Sequence, residues 1–293
     1  TKQGRRTTQA ILQAADKMFS EGINGSQLVR YCIPAIDQSI IHARQQMHVL
    51  AAQPGTGKTA FALSAIAEQI KAGYVCAIFC KESSSEELLG KLLSIYSGIP
   101  YIRLLTQSNK MEPAELQAYS RARELINKFQ GNLFISGGGD YKHSIESIRG
   151  AMRRIHDERG QIDAAYIDYL QNMNAPQHLQ RKDKTPQVEY NIEALKDMFI
   201  DFDCAGTVLS QINRTGAQTG DKPAMHHLKY ASTIEAEAHI ITFLHRDKIN
   251  DPDKRELETM WYSEKTRLFA PFCRALIFKK DTAQYYGRYA ATD

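Results

Sequence analysis

The sequence predicts an α/β fold: a mostly parallel central sheet flanked by helices, with antiparallel strands at the C-terminal end. Three observations carry this expectation. The apolar run Met47-His48-Val49-Leu50-Ala51 gives way to the glycine-bearing turn Gln53-Pro54-Gly55-Thr56-Gly57, and that turn opens onto Ala60-Phe61-Ala62-Leu63-Ser64-Ala65-Ile66, so strand, loop and helix follow one another. From there to about residue 211, short apolar runs alternate with amphipathic stretches, the pattern of βα units wound around a parallel sheet. Beyond residue 239 the pattern changes, and Ile240 to Leu244, Leu257 to Tyr262 and Ala275 to Phe278 read as strands joined by turns.

Taken in order, residues 1–24 begin with the basic side chains Lys2, Arg5 and Arg6 and continue as Ala10 to Phe19, apolar at helical intervals, up to Gly22. This is expected to be an N-terminal helical linker or subunit-docking segment, packed on its own domain or on a neighbouring subunit. Residues 25–293 are expected to form the main domain, with Gly25 and Pro34 in a lead-in that reaches residue 46. Tyr74 to Cys80 is a continuous apolar run of the kind shown by strands buried on both faces. Ser83-Ser84-Ser85-Glu86-Glu87 then places hydroxyls and carboxylates at the positive end of a helix that runs to about Ser97. Helices are expected over Pro113 to Phe129, Ile145 to Glu158 and 188–203, and strands over Asn132 to Ser136, Ala164 to Leu170 and Gly206 to Gln211. Gly137-Gly138-Gly139 reads as a flexible turn, and 174–187 and 213–224 as polar segments.

Composition narrows the class. A hydrophobic fraction of 43% and a charged fraction of 24% are those of an ordinary globular protein of 293 residues, which excludes wholesale disorder. The net charge of +4 permits a nucleic-acid partner without requiring one. Cys32, Cys76, Cys80, Cys204 and Cys273 are odd in number, lack zinc-ligand spacing and mostly lie in apolar runs, so free thiols in a reducing cytoplasm are expected. No apolar run approaches the ~18 residues of a membrane span, and a soluble, cytoplasmic protein is the expectation. His226 and His227 adjoin no carboxylate or cysteine partner and read as loop residues.

The loop after the first strand carries the most specific chemistry. Ala52 to Thr59 matches the phosphate-binding pattern G-x-x-x-x-G-K-[ST], with alanine in the first glycine position. Pro54, Gly55, Thr56, Gly57, Lys58, Thr59 and Ala60 are the candidate nucleotide-binding residues: the glycines let successive N–H groups turn inward around an anion at a helix N-terminus. Lys58 is suited to the β- and γ-phosphates of ATP, and the Thr59 hydroxyl to Mg²⁺. Asp168, at the end of an apolar strand, is suited to hold Mg²⁺ through water. Glu82 lies just past the strand ending at Cys80; if all strands deliver their C-terminal ends to one edge, Glu82 and Asp168 meet the loop in one crevice. Glu82 is then the candidate base that polarises water against the γ-phosphate.

Six blocks in order make the chain resemble the hexameric replicative helicases of the bacterial DnaB type, within the wider RecA-like ATPases. They are Gln53 to Leu63; Phe79-Cys80-Lys81-Glu82-Ser83; Ile167-Asp168-Tyr169-Leu170-Gln171; Leu209-Ser210-Gln211-Ile212-Asn213-Arg214; Ile234 to Ala238 with Phe243 to Asp247; and Lys265-Thr266-Arg267. The likeness spans roughly residues 25–290. It implies a RecA-like P-loop NTPase fold, Glu82 as the water-activating glutamate, Asp168 as the metal-binding aspartate and Gln211 as the γ-phosphate sensor. Lys265 and Arg267 become the cations supplied to the neighbouring subunit's ATP.

The resemblance further implies an ATP- and Mg²⁺-dependent DNA helicase that moves 5′-to-3′ on single-stranded DNA as a homo-oligomeric, hexameric ring, with a primase or helicase loader as a candidate partner. Loops near 172–187 and 212–232 would face the channel, where Arg181, Lys182, Lys184, Arg214 and Lys229 suit sequence-independent contact with phosphates. Arg214 is alternatively placed to watch the γ-phosphate with Gln211. The family commonly has arginine and glutamate where this chain has Lys229 and Tyr230. It also carries a separate helical N-terminal domain, so the chain is expected to be a helicase domain of a larger protein, such as a primase-helicase fusion, or a minimal phage- or plasmid-like helicase. A recombination or repair ATPase of the same fold, and an ATP-binding homologue that does not unwind DNA and acts as an interaction module, are the alternatives.

Overall fold

The structure, a computed structural model, describes residues 7–21, 27–140, 143–168, 170–174, 176, 179, 184–212, 222–228, 230–246, 254–267 and 269–288. Its strands are β1 (Met47–Ala52), β2 (Cys76–Cys80), β3 (Leu133–Ser136), β4 (Ala164–Asp168), β5 (Ala205–Gln211), β6 (Ile240–His245), β7 (Glu256–Thr266), β8 (Cys273–Lys279) and β9 (Gln284–Gly287). They form one sheet in the order β3-β2-β4-β5-β1-β6-β7-β8-β9. The pairings from β3 through β6 are parallel and those from β6 through β9 antiparallel. The helices are α1 (Thr8–Glu21), α2 (Pro34–Asp37), α3 (Lys58–Lys71), α4 (Ser85–Ser97), α5 (Tyr101–Thr106), α6 (Pro113–Lys128), α7 (Ile145–Arg159), α8 (Lys184–Asp201) and α9 (Ala231–Glu237).

The strand β1 lies between β5 and β6 and is buried along its whole length. Because side chains alternate across a strand, Met47, Val49 and Ala51 join one core with α7 and α8, while Leu50 and Ala52 join a second core with α3 and α4. Both faces are therefore covered by helices, as parallel strands require. The lead-in before β1 belongs to the second core: Val29, Tyr31, Ile33, Ile36 and Ile40 are all buried there. The Tyr31 hydroxyl also meets three buried polar groups, His42 Nδ1 at 3.1 Å, His48 Nδ1 at 2.5 Å and Thr207 Oγ1 at 2.9 Å. His48 Nε2 continues to Thr242 Oγ1 at 2.7 Å, so one polar network joins the lead-in to β1, β5 and β6.

Several boundaries differ from the sequence reading, each for a physical reason. The β4 strand stops at Asp168, and Leu170–Asn172 forms a 3₁₀ turn over the sheet edge, with Leu170 buried. Lys184 is the first residue of α8, four residues earlier than the polar segment implied, because helical spacing of buried Val188, Ile192 and Leu195 sets the helix and its polar first turn follows. The α5 and α9 helices and β9 carry too few residues for their periodicity to register. The β7 strand runs on to Thr266 because its far end pairs with β6.

The glycine run 137–139 forms the expected turn, closed by the Asp140 N–H donating to the Gly137 carbonyl at 3.1 Å, but its first two glycines are tightly packed. A side chain at Gly137 would sit 2.2 Å from the Ser85 backbone nitrogen, and one at Gly138 would sit 2.5 Å from the Lys81 carbonyl oxygen. The Gly138 N–H donates to the Ser83 carbonyl at 2.9 Å, and the Gly137 N–H to Ser85 Oγ at 2.8 Å. These glycines are contact surface for the 81–85 turn.

Candidate nucleotide-binding and hydrolysis site

In the parallel sheet the C-terminal ends of β1, β2, β4 and β5 reach one edge, where Ala52 pairs with Gln211 and Cys80 with Asp168. The loop from Gln53 to Gly57 leaves β1 at that edge and delivers α3. Gly55 has φ +80° and Gly57 φ +106°, both left-handed values that a side chain disfavours. Gly57 is the N-cap of α3, so the loop places the positive end of a fourteen-residue helix at its centre. Pro54 and Gly55 are exposed and Thr56 and Ala60 buried, which leaves one open face on the loop.

Lys58 is 8% exposed, and its ammonium donates to the Ala52 carbonyl at 3.4 Å. Burial lowers its pKa, while the charges of Asp168 and Glu82 act in the opposite direction, so both carboxylates lie within its electrostatic reach. The Thr59 hydroxyl donates to Asp168 Oδ2 at 2.5 Å. That hydroxyl and carboxylate form a hard oxygen pair of the kind Mg²⁺ takes alongside phosphate and water. The Cys80 thiol lies 3.5 Å from the same Asp168 oxygen, and burial pushes its pKa up to about 12. Cys76, Cys80 and Cys204 are buried free thiols, whereas Cys273 is exposed.

Glu82 is exposed on the turn between β2 and α4. Ser84 caps α4 by accepting from the Glu87 N–H at 3.2 Å, and the glycines at 137 and 138 press on the same turn. Gln211 ends β5, where the Gln171 side chain links it to the 3₁₀ turn after β4: Nε2 donates to Ser210 Oγ at 2.8 Å and Oε1 accepts from the Gln211 N–H at 3.4 Å. The structure thus gathers Lys58, Thr59, Glu82, Asp168 and Gln211 at one edge.

It does not gather Lys265 and Arg267. Lys265 pairs with Ile241 near the start of β6, whereas the loop lies beyond Leu244, the β6 partner of Ala52. Three to four residues of extended strand separate the two positions, roughly 10–13 Å along the chain direction. The Lys265 ammonium donates to the Glu235 carbonyl, and Arg267 Nη2 donates to the Ala236 carbonyl at 3.0 Å, both near the C-terminal end of α9. Of the candidate nucleic-acid residues, Lys184 is exposed at the start of α8; Arg181, Lys182, Arg214 and Lys229 lie outside the described residues. His226 and His227 sit in a short 3₁₀ turn, and among the described residues no cluster of three or more His, Cys, Asp or Glu side chains could hold a metal.

Sequence reasoning missed three contributors. The glycines at 137 and 138 look like a linker in sequence, and only proximity reveals their contact. Arg246 stood in a motif block without a derived role, yet its Nη2 donates to the Thr56 carbonyl at 2.9 Å and to the Tyr285 hydroxyl at 2.8 Å. Tyr285 carried no sequence signal at all.

A glycine loop between strand and helix, with a strand-end aspartate beside its threonine, is the arrangement of a P-loop fold, here on the edge of a mostly parallel sheet. The model of the DnaB-like helicase C-terminal domain matches residues 35–286, and the chain belongs to that family. It is 27% identical over 213 residues to the replicative DNA helicase DnaB of Haemophilus influenzae, covering 70% of this chain and 44% of that protein. With DnaB of Geobacillus stearothermophilus it shares 28% over 213 residues, covering 72% and 45%. The chain spans about half the length of the curated relatives it matches. Among solved structures, an ATPase domain is similar with a TM-score of 0.84 at 22% identity, over 95% of this chain and 98% of that one. A DnaB-like replicative helicase solved for its interactions with primase gives 0.83 at 22% identity, over 97% and 67%. Among the described residues no helix is long and apolar enough to cross a membrane.

Proposed function

We propose that this chain is the ATP-hydrolysing motor domain of a replicative DNA helicase, working on single-stranded DNA as a ring with nucleotide sites between subunits. The observation that carries this reading is the convergence of Lys58, Thr59, Asp168, Glu82 and Gln211 at one sheet edge, with Lys265 and Arg267 placed away from it. In this reading the inward N–H groups of the loop and the Lys58 ammonium hold the β- and γ-phosphates. Thr59 and Asp168 would hold Mg²⁺, which supplies charge neutralisation on the phosphate oxygens when bound. Glu82 accepts a proton from the attacking water, and Gln211 faces the γ-phosphate. Lys58 supplies one cation to the phosphates at this edge, and Lys265 and Arg267, set away from it, would supply theirs to the neighbour's site.

The ring supplies DNA contacts through the segments that lead into α8 and α9, with Arg181, Lys182, Lys184, Arg214 and Lys229 against phosphates. A hexamer, 5′-to-3′ movement and cooperation with a primase follow from the likeness to DnaB-type helicases. The test is ATPase rate against protein concentration, with and without single-stranded DNA, followed by unwinding of a forked duplex. Specific activity that rises with both concentration and DNA, together with unwinding, is the expected result. DNA-stimulated turnover without unwinding would favour a recombination-type ATPase, and nucleotide binding without turnover an interaction module.

A further inference from the structure

Thr56 and Gly57 share one peptide unit at the centre of the phosphate loop, and its carbonyl is fixed from outside. The Thr56 oxygen accepts from Arg246 Nη2 at 2.9 Å and from the Tyr285 hydroxyl at 2.6 Å. The donors behind it form a closed set. Arg246 Nη2 also donates to the Tyr285 hydroxyl at 2.8 Å, and Arg246 Nε donates to Thr259 Oγ1 at 3.0 Å. The Arg246 guanidinium stacks on Phe278, 4.3 Å from the ring centre. The Tyr285 N–H donates to Ser64 Oγ at 2.8 Å, which ties β9 to α3. Tyr285 and Thr259 are 1% and 0% exposed, and Arg246 and Phe278 beside them are half-buried.

In a planar trans peptide the C=O and the following N–H point in opposite directions. A Thr56 carbonyl held outward by Arg246 and Tyr285 therefore turns the Gly57 N–H inward, toward the anion space in front of Lys58. Gly57 is the N-cap of α3, and its N–H belongs to the anion-binding group of backbone donors. The Tyr285 and Phe278 rings also lie 3.2 and 3.3 Å from where a Gly57 side chain would be, a floor that blocks the peptide from turning over. We propose that Arg246, just past β6, and Tyr285, on β9, are positioning residues that preset the Thr56–Gly57 peptide for the β-phosphate of a nucleotide. This rests on the reading of the loop as a phosphate site.

The experiment titrates a fluorescent ADP into the full chain and its variants, below each variant's unfolding temperature, and fits both Kd and the number of sites per chain. Arg246→Met and Tyr285→Phe are each expected to weaken Kd, about tenfold for the loss of the charged donor and about threefold for the neutral one. The double variant is expected to fall short of the product, because both donors serve one acceptor. A merely structural role lowers the number of competent sites and leaves Kd alone. Kd within twofold of the starting chain in both variants, whatever the number of sites, overturns the proposal. Lys58→Ala separates the two levels: if it too leaves Kd unchanged, the phosphate-loop reading itself falls, whereas a Lys58 effect without an Arg246 or Tyr285 effect removes only the positioning role.

Discussion

Gly137→Ala tests whether the turn that bears Glu82 is held where hydrolysis needs it. The added methyl would sit 2.2 Å from the Ser85 nitrogen, 2.4 Å from the Ser84 carbonyl carbon and 2.8 Å from the Ser84 Cα. All three are backbone atoms, so no side chain can swing aside, and reaching even 3.0 Å demands a shift of about 0.8 Å at the start of α4. Glu82 lies two residues before Ser84 on the same turn. Overpacking of this kind costs about 1–3 kcal/mol of stability, and a displacement near 1 Å at a reacting group lowers rate by about 10²-fold. Single-turnover ATP hydrolysis at saturating nucleotide should therefore slow by about 10²-fold, while ADP affinity, which depends on the loop after β1, stays near its starting value. Gly139→Ala is the control: Gly139 has φ +111° but nothing within 4 Å of an added methyl, so it loses stability through backbone strain without pushing the turn. Full-speed hydrolysis in Gly137→Ala, or an equal loss in Gly139→Ala, would refute the reasoning.

Three further outcomes are expected. Arg267→Ala should lower turnover by about 10³-fold or more as a pure ring; mixing it with Lys58→Ala subunits should restore part of the rate, since each supplies what the other lacks, and a mixture no faster than its components would argue against action between subunits. Lys184→Ala should weaken single-stranded DNA binding and flatten the dependence of log K on log salt by about 0.7, the increment for one phosphate contact; an unchanged slope removes Lys184 from the DNA path. Burial lowers the His42 pKa from 6.5 to about 4, so the folded state binds fewer protons than the unfolded chain between those values. Stability is then expected to decline as pH falls from 6.5 toward 4, by about 3 kcal/mol from this group, and urea unfolding of His42→Gln should show a correspondingly shallower decline.

Much of the site was legible because its chemistry is local in sequence. Gly55, Gly57, Lys58 and Thr59 occupy one turn, and a strand-to-helix junction leaves few other conformations for them. Asp168 and Glu82 were legible by one extra step, since each ends or follows an apolar run and parallel strands deliver those ends together. Lys265 and Arg267 were singled out by motif likeness, and the strand register sets Lys265 opposite Ile241, away from the loop. By contrast, Gly137 and Gly138 look like any glycine linker until the 81–85 turn is laid against them. Arg246 and Tyr285 lie 190 and 229 residues from Thr56, and no spacing rule connects a loop to donors so remote.

The sequence by itself determined the α/β class, the burial of β2 on both faces, the glycine loop between β1 and α3, and the placing of Asp168 and Glu82 at or just past the ends of apolar runs. Hydrophobic periodicity and loop chemistry act over a few residues, and a few residues suffice to express them. Tertiary structure alone decided the strand order, the closing of β7 to β9 behind the loop, the glycine contacts beneath the Glu82 turn and the outward anchoring of the Thr56 carbonyl. Those depend on which distant segments share a boundary, and that is settled by the packing of whole elements against a common core rather than by the preference of any one of them.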